Sequence, residues 1–227
     1  MILNYFKKKS SINSPEFWKK YISHFDSKRD YKIPISHAEF VIIDIESTGL
    51  DFKKDKILSI GGVKIKNNQI EVCNTFEIYL SQNEFNPDSA LVHGIIKNTN
   101  EVKVSENEGI EKFLEYIKNN ILVGHSITFD ISIINETLRK LGGNKLLNKS
   151  IDTINLYKRL KGNDYKVDSS LSLDSLCDEY KIIKSDRHNA AGDALITALL
   201  FLKLISGLKI RGVTELDSLL KSKGILF

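Results

Sequence analysis

Phe40-Val41-Ile42-Ile43-Asp44-Ile45-Glu46 is the stretch on which the reading of this chain turns. Four apolar side chains in a row, three of them β-branched, predict a strand buried on both faces. Two carboxylates then follow, two residues apart. Side chains at i and i+2 of a strand share a face, so Asp44 and Glu46 stand side by side at the strand's end. Left alone they repel, and one tends to hold a proton. Unneutralised acids are costly in a central strand, and a divalent cation removes the conflict. Hard oxygen donors of this kind suit Mg²⁺ or Mn²⁺. The alternative is a solvent-facing acidic pair, a reading weakened by the apolar run that precedes it, although Asp-x-Glu alone is a weak signal.

Outward from this stretch the pattern continues as strands. Lys56–Lys66 and Gln69–Leu80 read as two more, joined by Asn67-Asn68, which suits a tight hairpin turn. Short strands are expected at Ile121–Gly124 and Ser150–Ile154. Helical spacing marks Glu106–Asn119, Asp130–Leu141 before a Gly142-Gly143 stop, Leu171–Tyr180 and Ala191–Ile205. Short helices are expected within Pro87–Ile96 and Thr214–Lys221. Ser14-Pro15-Glu16 is a helix start, after which Phe17, Tyr21, Ile22 and Phe25 fall on one face. Residues 1–13 read as loosely ordered and 26–38 as a linker. An antiparallel hairpin followed by alternating helices and strands predicts an α/β fold with a mixed sheet.

A chain of 227 residues with 41% hydrophobic and 27% charged residues suits one sizeable domain with its own core. Cys73 and Cys177 stand far apart, in no metal-like spacing, and read as buried thiols of a reducing compartment. Polar residues follow Lys7-Lys8-Lys9, so no signal peptide is expected, and no stretch of about 18 apolar residues predicts a membrane span. A cytoplasmic protein is the expectation. Residues 1–39 hold eight Lys/Arg and four Asp/Glu, and so carry the whole net charge of +4. A basic arm of this kind favours a polyanion, and serves equally well as plain solvated surface.

Two further clusters carry chemistry. In Gly124-His125-Ser126-Ile127-Thr128-Phe129-Asp130 an apolar strand ends in glycine and an acid opens the next helix. Alone, Asp130 reads as a helix cap. In His188-Asn189-Ala190-Ala191-Gly192-Asp193 small residues lead into an apolar helix and let backbone or ligand come close. Alone, these are a loop histidine and a first-turn acid.

Together and in this order, the three elements resemble the DnaQ-like (DEDDh) 3′–5′ exonucleases, a family that includes the proofreading epsilon subunit of bacterial DNA polymerase III. The resemblance runs from about Glu39 to Ile205. Asp44-Ile45-Glu46-Ser47-Thr48-Gly49-Leu50 matches the first motif, with serine where threonine is more usual. Val92-His93-Gly94-Ile95 resembles the His-Gly-Ile segment, and Ile151-Asp152-Thr153 the Asp-Thr strand after the second motif.

The resemblance implies a ribonuclease H-like fold, with a mixed five-stranded sheet flanked by helices. It implies an exonuclease domain over 39–205, a basic arm with one amphipathic helix over 1–38 and a C-terminal tail over 206–227. Asp44, Glu46, Asp130 and Asp193 become ligands of two Mg²⁺ or Mn²⁺ ions, with Asp44 between both. Such a pair of ions serves the attacking water and the leaving oxygen of an in-line displacement. His188 becomes the general base, since imidazole exchanges protons near neutrality. Thr48, Gly49, Leu50, His93 and Ile95 become contacts to the terminal nucleotides, and His125 is structural. The implied substrate is a nucleic-acid 3′ end, DNA ahead of RNA, with 5′ nucleoside monophosphates as product. A polymerase or another replication or repair protein is the implied protein partner. The alternatives are an exoribonuclease or oligoribonuclease and, in another class, a module that binds nucleic acid or a polymerase without cutting.

Overall fold

The computed structural model describes residues 14–27, 29–82, 102–167, 170–184 and 187–221. Among these, β1 (Phe40–Ser47) pairs antiparallel with β2 (Ile57–Lys66) and parallel with β6 (Ile121–Gly124). β2 continues outward to β4 (Phe76–Leu80), and β4 to β5 (Lys103–Val104). On the other side β6 pairs with β7 (Ser150–Asp152). The order is β5-β4-β2-β1-β6-β7, with β3 (Gln69–Ile70) attached to β2. The mixed α/β architecture is the expected one, but among the described residues the sheet has seven strands where five were expected. The additional β3 and β5 are two residues long, too short for an alternating pattern to declare itself.

Asn67 and Asn68 both adopt positive φ, 52° and 58°. This is the backbone a two-residue type I′ hairpin demands, and asparagine tolerates it. The run Gln69–Leu80 is not one strand. A 3-10 turn at Val72–Asn74 interrupts it, where the Asn74 amide bonds the Glu71 carbonyl and the Thr75 hydroxyl the Val72 carbonyl. Because this turn leaves the sheet, Cys73 is exposed and not the buried thiol expected, whereas Cys177 is buried.

The strand alternation of β1 sorts the core into two layers. Val41, Ile43 and Ile45 face α1 (Glu16–Ser23), α2 (Glu106–Ile117) and α3 (Thr128–Lys140). Phe40 and Ile42 face α4 (Thr153–Lys161), α5 (Leu173–Tyr180), α6 (Ala190–Ile210) and α7 (Leu216–Leu220). Helix α4 replaces the expected end of a strand at Ile154. Asp152 caps it by accepting from the Ile154 amide at 2.9 Å. By length and composition α6 could cross a membrane, with mean hydropathy 1.7. More than half of it is buried within the protein, on β1, β2, α4 and α5, as befits a helix that is apolar all round.

The segment read as a linker is tied down. The Ile35 amide bonds the Thr214 carbonyl, and the Leu216 and Asp217 amides bond the Ile33 and Tyr31 carbonyls. Arg29 donates to the carbonyls of Asn119 and Glu39. Helix α1 buries Phe17, Trp18 and Tyr21, and the Tyr21 hydroxyl joins the Leu147 amide to the Asn148 side chain. The partners of that hydroxyl lie more than a hundred residues away, beyond the reach of local pattern.

Candidate active site

The two layers decide where the acids point. Asp44 and Glu46 continue the row of Phe40 and Ile42, so they face the layer of α6. Directly opposite Asp44 in the register is Gly61 of β2. A Cβ on Gly61 would collide with the Ala190 carbonyl and the Ala191 amide. The absent side chain therefore lets the first turn of α6 sit on the sheet, which brings Asp193 to the acids. Ligand oxygens of Asp44, Glu46 and Asp193 lie within 4.8 Å of one another. Asp193 is only 6% exposed. Asp130, in the first turn of α3, is also buried and is felt electrostatically by Asp44 and Glu46, although it stands outside that tight group of three.

The electrostatics follow from burial. Asp44 is held well above the usual carboxylate range, first by burial and then by the charges of Asp130, Asp193 and Glu46, with Arg187 opposing. Burial, with the Asp193 charge, pushes Glu46 up to about 7. Burial likewise pushes Asp130 up to about 8. In metal-free solution the folded protein thus holds protons that the unfolded chain releases from about pH 4 upward. Stability then falls as pH rises towards 8, because the native state binds the more protons. In EDTA, the urea midpoint is expected to be lower at pH 8 than at pH 5, with Mg²⁺ narrowing the gap. A midpoint that rises with pH in EDTA would contradict this.

The turn before α6 is pinned on both sides. Asn189 caps the helix by accepting from the Gly192 amide at 2.9 Å. Its amide group donates to Glu77 Oε1 at 2.8 Å and to the Tyr79 hydroxyl at 3.1 Å, both on β4. His188 takes φ of +64°, and its amide donates to Asp193 Oδ2 at 3.3 Å. His188 and Asn189 border an open cleft of about 470 Å³ with Thr75, Arg187, Ala191, Gly192 and Leu195.

Arg187 has no counterpart among the expected site residues. Its Nε and Nη2 grip both oxygens of Asp174 in α5, at 2.9 and 3.2 Å, while Nη1 is ion-paired with Asp193. Gly61, Asn189, Glu77 and Tyr79 were also missed. The double glycine inside a strand, Gly61-Gly62, was the one signal that could have flagged close approach of another backbone.

The remaining expected residues sort clearly. The Thr48 hydroxyl donates to Asp55 Oδ1 at 2.8 Å and accepts from the Lys56 amide, so it staples the β1–β2 loop. A Cβ on Gly49 would crowd the Asp55 carboxylate. The loop so held presents Leu50 to solvent, 88% exposed. His125 is structural: its ring nitrogens meet the Thr153 hydroxyl and the Leu171 carbonyl, each at 2.8 Å. The carbonyl can only accept, so Nε2 carries the proton, and burial lowers the ring's affinity for a second. His93 and Ile95, with the helix expected at Pro87–Ile96, lie outside the described residues.

Comparison with known proteins places the chain in a family. The pattern of the Exonuclease (RNase T) family matches residues 41–201. The chain is 35% identical over 197 residues to the PolC-type DNA polymerase III of Caldanaerobacter subterraneus subsp. tengcongensis, covering 83% of this chain and 13% of that protein. It thus spans about an eighth of the PolC-type polymerases it matches. It is 34% identical over 173 residues to the DNA polymerase III subunit epsilon of Buchnera aphidicola subsp. Baizongia pistaciae, covering 71% of this chain and 68% of that one. In structure it is similar to E. coli Exonuclease I in complex with a dT13 oligonucleotide, with TM-score 0.67 and 13% identity over 78% of this chain and 43% of that one. By sequence, the chain belongs to the RNase T exonuclease family, whose DnaQ-like members its motifs resemble.

Proposed function

We propose that the protein is a metal-dependent 3′–5′ exonuclease that hydrolyses phosphodiester bonds at DNA 3′ ends, single-stranded or frayed, and releases 5′ nucleoside monophosphates. The observation that carries this reading is the convergence of Asp44 and Glu46 from β1 with Asp193 from α6, next to the cleft bordered by His188.

The donor set fits divalent cations. It is all oxygen, with Asp193 and Asp130 buried and Asp44 and Glu46 half-buried, and the acids repel one another until a cation neutralises them. The buried Ser59 hydroxyl, opposite Glu46 in the register, has no hydrogen-bond partner among the described residues and could receive water of a hydrated ion. Asp44, Glu46, Asp130 and Asp193 would hold two ions, Mg²⁺ or Mn²⁺. Bound there, such ions supply an activated water and neutralise charge on the leaving oxygen. The chain's own part is to position. His188 accepts the water's proton as general base, Glu46 and the backbone of Thr48 and Gly49 hold the terminal 3′ hydroxyl, and Leu50 wedges against the last bases. His93 and Ile95 complete the contacts to the substrate end. Residues 39–205 are the nuclease domain, with 1–38 as a basic N-terminal arm and 206–227 as a C-terminal tail.

DNA is favoured because the PolC-type and epsilon relatives are DNA polymerase III proteins. For the same reason a polymerase or another replication or repair protein is the protein partner and the cytoplasm the place of action. The test uses 5′-labelled single-stranded DNA, duplex DNA with mismatched ends and RNA, with and without Mg²⁺. A ladder that shortens DNA from the 3′ end only with the ion is expected. Faster RNA digestion would move the protein to the exoribonucleases, and binding without digestion to non-catalytic modules. His188→Ala is expected to lose about 10²–10⁴-fold in rate. A loss below about tenfold would mean that another group takes the proton.

A further inference from the structure

Arg187 connects two things that the proposed chemistry does not require to be connected. On one side it holds Asp174 through two hydrogen bonds, in the fork geometry that guanidinium and carboxylate share. On the other it is ion-paired with Asp193, one of the three clustered acids. Among the described residues no other Lys or Arg is ion-paired with Asp44, Glu46 or Asp193. Its charge also opposes the build-up of negative potential at Asp44 and Glu46. Three carboxylates within 4.8 Å of one another, with Asp130 near, favour a positive charge beside them before any metal arrives. Arg187 supplies it, from a side chain mostly buried between α5 and α6.

We propose that Arg187 is the built-in counter-ion of the acidic cluster, holding Asp193 in place before a divalent cation arrives and giving up Asp193 Oδ1 when the cation binds. The proposal rests on reading Asp44, Glu46 and Asp193 as cation ligands. The Asp174 grip is what makes the exchange workable. Nη1 can leave Asp193 while Nε and Nη2 stay bonded to α5, so the guanidinium withdraws without losing its anchor. Asp193 is meanwhile kept in its ligating position by the His188 amide on Oδ2. Arg187 is thus a positioning residue. The guanidinium and the cation compete for one carboxylate oxygen, so cation affinity is held below what the acids alone would give.

The test is Mn²⁺ binding to the metal-free full-length protein without substrate, by calorimetry or by the electron paramagnetic resonance of the free ion, with thermal melting in parallel. Arg187→Gln removes the charge. It is expected to bind Mn²⁺ about tenfold tighter, the order for a unit charge several ångströms away in a partly screened site. It is also expected to melt lower than the wild type in EDTA, with a larger rise on adding the ion. Arg187→Met serves the same purpose should the glutamine variant fail to fold. Asp174→Asn breaks the α5–α6 bridge but keeps the positive charge, and is expected to lower the melting temperature without tightening Mn²⁺. Unchanged or weaker binding in the neutral variants overturns the counter-ion role. So does tightening in Asp174→Asn equal to that in Arg187→Gln, because a loosened turn would then be the cause. A wild type that binds no Mn²⁺ overturns the metal site itself, a separate result from these two.

Discussion

Asp44→Ala is expected to abolish release of nucleotides from a DNA 3′ end, with a loss of at least about 10³-fold, while the fold stays intact. The size of the loss follows from the position of Asp44. It is the half-buried acid on which the charges of Asp130, Asp193 and Glu46 act together. Stabilisers placed where charge develops in a water-poor site each contribute about 10²–10³-fold, and an acid at the centre of the set contributes at the top of that range or beyond. The fold should survive because the same burial makes the ionised Asp44 a liability in the metal-free protein. Removing it relieves repulsion among its neighbours, so the melting temperature in EDTA at pH 8 should equal or exceed that of the wild type. Digestion within tenfold of the wild type, or a melting temperature several degrees lower, would show that Asp44 serves the fold and not the chemistry.

Gly61→Ala is the second large effect, and it works through backbone. The new methyl would occupy the space of the Ala190 carbonyl and the Ala191 amide, neither of which is a flexible side-chain end. The start of α6 must lift off β2, at a cost of about 1–3 kcal/mol for forced repacking. For a chain of this size that is about 2–4 °C of melting temperature per kcal/mol. Activity should fall further than stability, because Asp193 moves with the helix and strains the Asn189 bonds to Glu77 and Tyr79. A displacement of about 1 Å at a catalytic constellation costs about 10²-fold. Gly62→Ala is the comparison on the opposite face, where the new methyl meets the Tyr116 ring and not α6. Equal rate losses for both variants would remove Gly61's special role.

The acids were legible because strand periodicity is a local property. Four apolar residues followed by Asp44 and Glu46 state both the strand and the shared face, and the positive φ of Asn67 and Asn68 follows from residue type alone. His188 and Asp193 were legible by their spacing ahead of an apolar helix. The break at Val72–Asn74 was not, since that turn is held by backbone bonds and the Thr75 hydroxyl inside a stretch of β-favouring residues. Helix α4 was not, because Asp152 ends β7 and caps the helix in the same residue.

From its order of residues alone this chain is committed to a mixed α/β sheet, to two carboxylates on one strand face and to membership of an exonuclease family. Periodicity states which side of an element is apolar or acidic, but not what will cover it. Tertiary structure alone decided the cover. It set α6 against the side-chain-free surface of Gly61, so that Asp193 arrives at Asp44, and it bound Asn189 to Glu77 and Tyr79. It also turned Arg187, an ordinary residue in sequence, towards both Asp174 and Asp193. Those contacts join elements far apart along the chain. The pair Asp44 and Glu46 marks where the site lies, and packing determines which groups meet it there.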